Sequence, residues 1–217
     1  MKSIPVVFDM DGVLINSEAL FDTCWRQSIL QTGHPVKEDV LQNTIGVDTE
    51  EVRRVFLSGY GEDFPYEACE HAMRERYRTQ LETVGVPPMP GAIEILSALK
   101  EQGCPLALAS SNLRYLIDAQ LETAGLLSFF DAIVCAEDVA EGKPSPAVYE
   151  KACEALRVPP ETAYAVEDAP AGVLSAYRAG MRVVMVPNLI APTPEERRVC
   201  TLIAPSLGEV LAYFRQL

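Results

Sequence analysis

The apolar and polar positions divide the chain into two textures. A short apolar run, Ile4–Phe8, predicts a buried strand, and it stops abruptly at Asp9-Met10-Asp11-Gly12. From about Asn16 to Pro88 the pattern is helical. "SEALFDTCWRQSILQTG" spaces Leu20, Cys24, Ile29 and Leu30 along one face, with Gly33 suited to a C-terminal cap. "TEEVRRVFLSGYG" and "PYEACEHAMRERYRTQLETVG" predict further helices, and "VPPMPG" ends them. Beyond Gly91 strands and helices alternate. The helices are "AIEILSALKEQG", "YLIDAQLETAG", "PAVYEKACEALR" and "AGVLSAYRAG", and the strands are "PLALAS", "AIVCA", "AYAVED" and "RVVMVP". A last strand near "CTLIA" leads to a helix at Ser206, where Ser206 and Glu209 have capping-box spacing.

Continuous apolar strands alternating with helices predict an α/β fold, a Rossmann-like parallel sheet covered on both faces. The first strand belongs with that sheet. Residues 1–15 and 89–217 are therefore expected to form the core, and residues 16–88 a helical cap domain inserted after the first strand.

Charge and cysteines narrow the function classes. The 217 residues carry a net charge of −13, which argues against nucleic acid and anionic membrane as partners. No apolar run is long enough to cross a bilayer, and the start lacks the long apolar region of a signal peptide. Six cysteines form no C-x-x-C pair and sit among apolar neighbours, so reduced thiols and a cytoplasmic location are expected. The expected assembly is a monomer, with a dimer left open.

Sheets of this kind bind ligands at the carboxyl ends of their strands. Those ends carry Asp9 and Asp11, then Ser110-Ser111-Asn112, then a loop with Lys143, then Glu167 and Asp168. With all four acids ionised and Lys143 charged, the edge carries −3. Such a site repels anions unless a cation joins it, and an all-oxygen donor set suits Mg²⁺. Glu137-Asp138 in "AEDV" looks like Glu167-Asp168 in "VEDA", but it starts the Lys143 loop and is read as structural. Trp25 and the cluster Arg74, Arg76 and Arg78 are read as structural too.

The motifs "DMDGVL", "LASS" (108–111), "GKPSP" (142–146) and "VEDA" (166–169), in that order and each at a strand end, resemble the haloacid dehalogenase superfamily in its phosphatase branch. The helical insert resembles the part of that branch that includes β-phosphoglucomutase and sugar-phosphate phosphatases. The resemblance implies that Asp9 is a nucleophile forming an aspartyl phosphate and that Asp11 is general acid and then base. It also implies that Lys143 neutralises phosphate charge and steadies Asp9. Ser110 would donate its hydroxyl to the phosphate, and the backbone N–H groups of Ser111 and Asn112, where a helix begins, would hold the anion. The implied Mg²⁺ ligands are the Asp9 side chain, the Asp11 carbonyl and Asp168, with Glu167 as ligand or holder of a metal-bound water.

The insert, with seven basic against thirteen acidic residues, has a net charge of −6 and suits a small, mostly neutral leaving group such as a sugar. Its expected role is a lid over the strand ends, with the 43–51 loop selecting substrate through Thr44, Asp48 or Thr49. The chain departs from the mutase pattern: Phe21 stands where a cap histidine is expected, and Ile45, Asp48 and Thr49 stand where a basic loop is expected. The expectation is therefore Mg²⁺-dependent hydrolysis of a small phosphorylated metabolite. Phosphomutase action is the alternative, and a non-catalytic metabolite-binding protein is the alternative of another class.

Overall fold

The structure, a computed structural model, describes residues 3–44 and 49–217. The chain divides into two compact units, Met1–Asn16 with Val86–Leu217, and Ser17–Gly85. In chain order, β1 (Val6–Phe8) is followed by α1 (Ser17–Gln31), α2 (Glu38–Gln42), α3 (Thr49–Tyr60) and α4 (Tyr66–Thr83). Next come α5 (Ala92–Glu101), β2 (Leu106–Ala109), α6 (Arg114–Thr123), β3 (Ala132–Val134), α7 (Ala147–Leu156) and β4 (Tyr164–Glu167). The chain closes with α8 (Pro170–Arg178), β5 (Arg182–Met185), α9 (Pro194–Val199), β6 (Leu202–Ile203) and α10 (Leu207–Phe214).

The six strands form one parallel sheet in the order β3-β2-β1-β4-β5-β6. Strand β1 is central: Val6 pairs with Leu106 on one side and Tyr164 on the other. The order reverses at β1, so the chain crosses to opposite sides of the sheet there and leaves a crevice at the carboxyl ends of β1 and β4. Side chains alternate between the faces. Val7, Ala107, Ala165 and Val183 pack with Val148, Tyr149 and Ala152 of α7 and Val173 and Ala176 of α8. On the other face Tyr164 meets Phe214 of α10, edge to face at 5.2 Å. Burial on both faces is what turns these strands into unbroken apolar runs.

The helical unit starts one residue later and ends three residues earlier than the 16–88 that the punctuation suggests. The linkers pair with each other: Asn16 N–H donates to Pro87 O at 3.0 Å, and Met89 N–H to Leu14 O at 2.8 Å. Ile15 bridges Pro88 in antiparallel fashion. These bonds tie residues from Pro87 onward to the sheet unit.

The helical unit is built around Trp25, whose ring lies 4.5 Å from that of Phe56 and 6.1 Å from that of Tyr66. Cys24, Ile29, Cys69 and Met73 complete this core. Helix α1 ends as expected, with Gly33 at φ +83° donating its N–H to Leu30 O. Arg74 and Arg78 pair with Glu70 and Glu75 on exposed surface, and Arg76 bonds Gln31. Phe21 stacks edge to face on Tyr77 at 5.5 Å. Helix α2 was not foreseen; it is five residues long, too short to show a periodicity.

Two capping details differ from expectation. Ser206 caps α10 by accepting Glu209 N–H at 3.4 Å, without a reciprocal bond from the Glu209 carboxylate among the described contacts. The full capping box lies at α9, where Glu196 accepts from Thr193 N–H at 2.7 Å and Thr193 Oγ1 accepts from Glu195 N–H at 3.2 Å. All six cysteines are free. No helix among the described residues is long and apolar enough to cross a membrane.

Candidate active site at the carboxyl ends of β1 and β4

Strand β1 extends its ladder by one bond, Asp9 N–H to Val166 O at 3.0 Å, and then turns. Met10 O accepts from both Leu14 and Ile15, and Gly12 N–H donates to Ile15 O. Gly12 is required at this turn for two reasons. Its φ is +73°, in the left-handed region. A β-carbon there would also lie 2.1 Å from Asp168 Oδ2 and 3.0 Å from Asn188 Nδ2. The turn therefore brings the β1 end against the ends of β4 and β5.

Lys143 ties the centre together. Its Nζ donates to Asp9 Oδ1, to Glu167 Oε1 at 2.7 Å and to Ala109 O at 3.1 Å, which uses all three ammonium hydrogens. The Lys143 loop is pinned from α8: Ser175 Oγ donates to Ser145 O at 2.5 Å, and Arg178 to Pro144 O at 2.9 Å. Burial pulls the Lys143 ammonium down, but the Asp9 and Glu167 carboxylates outweigh it and leave it raised. For Asp9 the balance also ends upward. Burial, with Glu167 and Asp11 nearby, pushes its carboxyl well above the usual range in spite of Lys143.

Glu167 is almost wholly buried and saturated with donors. Besides Lys143, its Oε1 accepts from Tyr149 Oη at 2.6 Å, and its Oε2 accepts from Asp168 N–H at 3.1 Å. Tyr149 also lies beneath the Lys143 ammonium, 5.1 Å from ring centroid to Nζ. Helix α8 reaches Glu167 only because residue 172 is glycine; a β-carbon there would fall 1.7 Å from Oε1.

Carboxylate oxygens of Asp9, Glu167 and Asp168 lie within 4.8 Å of one another, an all-oxygen group able to hold a hard divalent cation. Asp9 and Asp168 are the better direct ligands, because both Glu167 oxygens already accept hydrogen bonds. The crowding that raises Asp9 is what a cation at this point would relieve.

The end of β2 differs from expectation in one respect. Ser110 is buried and lines a cavity of about 140 Å³ together with Ser111, Gly142 and Lys143. Helix α6, however, begins only at Arg114, and Arg114 N–H donates to Glu137 Oε2 at 2.8 Å. Ser111 and Asn112 are therefore not at a helix N-terminus. The Asn112 N–H donates to Ser110 Oγ at 3.2 Å instead of standing ready for an anion, while its side-chain Nδ2 donates to Asp11 Oδ2 at 2.7 Å. Glu137 and Asp138 are structural: Asp138 accepts from Cys135 N–H at 3.0 Å, and Glu137 caps α6.

Of the expected selectivity residues, Thr44 and Thr49 lie in the helical unit. Thr44 Oγ1 donates to Leu41 O at 2.7 Å, and Thr49 opens α3 on exposed surface. Asp48 lies outside the described residues. The sequence reading missed Tyr149, Gly172 and Asn188. Asn188 alone had a signal, since it follows the fifth strand at the same edge.

Residues 6–186 match the family model described as haloacid dehalogenase-like hydrolase. The chain is 34% identical over 181 residues to validoxylamine A 7′-phosphate phosphatase of Streptomyces hygroscopicus subsp. limoneus, covering 81% of each chain. It is 33% identical over 210 residues to hexitol phosphatase A of Escherichia coli K12, covering 97% of this chain and 94% of that one. Its fold is similar to a Thermotoga maritima crystal structure provisionally described as a β-phosphoglucomutase, with TM-score 0.85, 27% identity and full coverage of both chains.

Proposed function

This chain belongs to the haloacid dehalogenase-like hydrolase family, and within it we propose that it is a Mg²⁺-dependent phosphatase of small phosphate monoesters, a sugar phosphate foremost. The observation that carries the reading is the Lys143 bridge between Asp9 and Glu167, with Asp168 converging on the same point. It fixes the rotation of one carboxylate and leaves a second acid, Asp11, two residues further on.

An Asp9 oxygen attacks phosphorus as the bond to the leaving oxygen breaks, forming phospho-Asp9. Asp11 gives its proton to the leaving oxygen, and the alcohol departs. Asp11 then takes a proton from water as that water attacks phosphorus, and inorganic phosphate leaves Asp9 free. Lys143 holds Asp9 in place throughout, and Ser110 offers its hydroxyl proton to a phosphate oxygen. Asp9, Asp168 and the Asp11 carbonyl would hold Mg²⁺, with Glu167 beside them; its charge would offset the crowded carboxylates and draw the phosphate in. The six free thiols suit a reducing, cytoplasmic compartment.

Two relatives with phosphatase names, each about one-third identical, support hydrolysis. The fold likeness to a protein described as a β-phosphoglucomutase favours phosphoryl transfer between sugar positions instead. Against that stand Phe21, seated among aromatic rings, and the few cations of the helical unit. The test is a panel of phosphate esters with Mg²⁺. Wild type should release phosphate, EDTA should abolish release, and beryllium fluoride should modify Asp9. Full activity in Asp9→Asn, or isomerised substrate without free phosphate, overturns the proposal.

A further inference from the structure

We propose that Tyr149 is a positioning residue for phosphoryl transfer: acting through Glu167 and Lys143, its hydroxyl keeps the attacking carboxylate of Asp9 in line. This rests on the reading of Asp9 as nucleophile. Tyr149 lies in α7, wholly buried in the core that this helix forms with the sheet, so no substrate reaches it. An apolar side chain would serve that packing. A hydroxyl placed there costs free energy unless it is bonded. This one donates to Glu167 Oε1 at 2.6 Å, the length of a charge-assisted bond to a carboxylate.

Glu167 Oε1 also accepts from Lys143 Nζ at 2.7 Å, so two donors share one oxygen and fill its lone-pair sites. The other oxygen, Oε2, accepts Asp168 N–H at 3.1 Å and Ala169 N–H at 3.5 Å. The carboxylate is therefore fixed in one rotation, although the terminal torsion of a glutamate is soft by itself. The Tyr149 ring limits the ammonium from a further side, 5.1 Å from centroid to Nζ. Lys143 in turn donates to Asp9 Oδ1. The contacts make one chain from α7, through the end of β4 and the Lys143 loop, to the end of β1.

The hydroxyl governs how the ammonium is shared between its two acids. While Tyr149 donates, it takes up part of the negative charge on Oε1 and weakens the pull of that oxygen on Lys143. Without the hydroxyl, Oε1 has an empty lone-pair site and turns its full charge on Lys143. Glu167 is then free to rotate, the ammonium moves toward it, and the hold on Asp9 slackens. In-line attack is sensitive to such a shift, since a misplacement of about 1 Å can cost roughly 10²-fold. Ser110, the hydroxyl offered to the phosphate, stands outside this chain of contacts, so phosphate binding is spared.

Tyr149→Phe removes the hydroxyl and keeps the ring. With full-length protein, saturating Mg²⁺ and the ester that wild type turns over best, kcat/KM should fall about 5- to 30-fold, a fraction of the roughly 10²-fold above. Beryllium fluoride, which needs the Asp9 oxygen, should bind more weakly by a similar factor. Inorganic phosphate, which forms no bond to Asp9, should inhibit within about twofold of wild type, because the lost interaction serves the attack and not the binding. A packing role would be met by phenylalanine and leave all three measurements unchanged. A generally loosened site would weaken phosphate along with the rest. Either result, or a variant that does not fold, overturns the proposal. If Asp9→Asn abolishes turnover and Tyr149→Phe behaves as wild type, only this inference falls. If Asp9→Asn keeps full activity, or wild type turns over no ester, the reading of Asp9 falls and takes this inference with it.

Discussion

Replacing Lys143 by methionine keeps the length of the side chain and removes its charge and three donors. The ammonium lies 2.7 Å from Glu167 Oε1 and contacts Asp9 Oδ1, and the Lys143 side chain is only 9% exposed. At an effective dielectric constant of about 20, a pair at that distance attracts by roughly 6 kcal/mol before desolvation is counted. The net loss on truncation is set by what the orphaned carboxylates do. They can escape by taking up a proton, which costs one carboxylate about 4 kcal/mol at pH 7 against an ordinary value near 3.9. That cap agrees with the roughly 3–5 kcal/mol typical of breaking a buried pair. The sign of the pH dependence follows. In the variant the Asp9 carboxyl, already raised, loses the Lys143 charge that pulls it down and rises further in the folded state, so the deficit is largest at neutral pH and shrinks toward pH 5 as protonation becomes cheap. Urea unfolding of metal-free protein at both pH values measures it. The single Trp25 reports on the helical unit, so far-UV circular dichroism must follow the sheet. A deficit under about 1 kcal/mol at pH 7, against the roughly 3–5 expected, or one that does not shrink at pH 5, would refute the reasoning.

Gly172→Ala should gain about 1 kcal/mol of helix propensity yet lose more, because its β-carbon would overlap Glu167. A net loss of about 2 kcal/mol in urea unfolding, with impaired turnover, is expected; a stabilised, fully active variant would refute the close approach of α8. Glu196→Gln probes a different pH range. Burial pulls the Glu196 carboxyl up, but the hydrogen bonds from Thr193 outweigh it and leave it lowered. The stability it lends is therefore complete above about pH 4.3 and is lost as pH falls through the lower folded value. The variant should be weaker by about 1 kcal/mol at pH 7, with the deficit shrinking in urea melts as pH is lowered below about 4.3, and a deficit that stays constant throughout that acid range contradicts the assignment.

The sheet was legible because a strand buried on both faces has no polar alternation to confuse it, and the insertion because a helical texture interrupts a run of such strands. Tyr149 was illegible for a local reason. It sits in α7 where an apolar residue would serve, and its hydrogen-bond partner comes from β4, 18 residues later. The contact of Asn112 with Asp11 was obscured by "SSN" itself, since each of those residues is a good helix cap and suggests that the helix starts at once. Only the position of Arg114 as the first helical residue leaves the Asn112 side chain for that contact. Glu196 shows the reverse. Thr193-Pro-Glu-Glu196 has capping-box spacing that was there to be read, but α9 has six residues and too little periodicity to draw attention.

Charge counting along the sequence leaves the site at −3, as if Lys143 were available to a substrate. The structure makes the balance less favourable to an anion. All three Lys143 hydrogens are already directed at Asp9, Glu167 and the Ala109 carbonyl, so its charge mainly offsets carboxylates inside the cluster. A phosphate dianion reaching this edge meets Asp168 and Asp11 with little of that charge left over. Neutral donors such as Ser110 can orient the anion but cannot outweigh two carboxylates. The cation needed is therefore one that displaces the crowding at Asp9 and Asp168 directly, which is where their oxygens converge. By the same logic phosphate affinity and metal affinity at this edge must rise together, since each removes the repulsion that opposes the other.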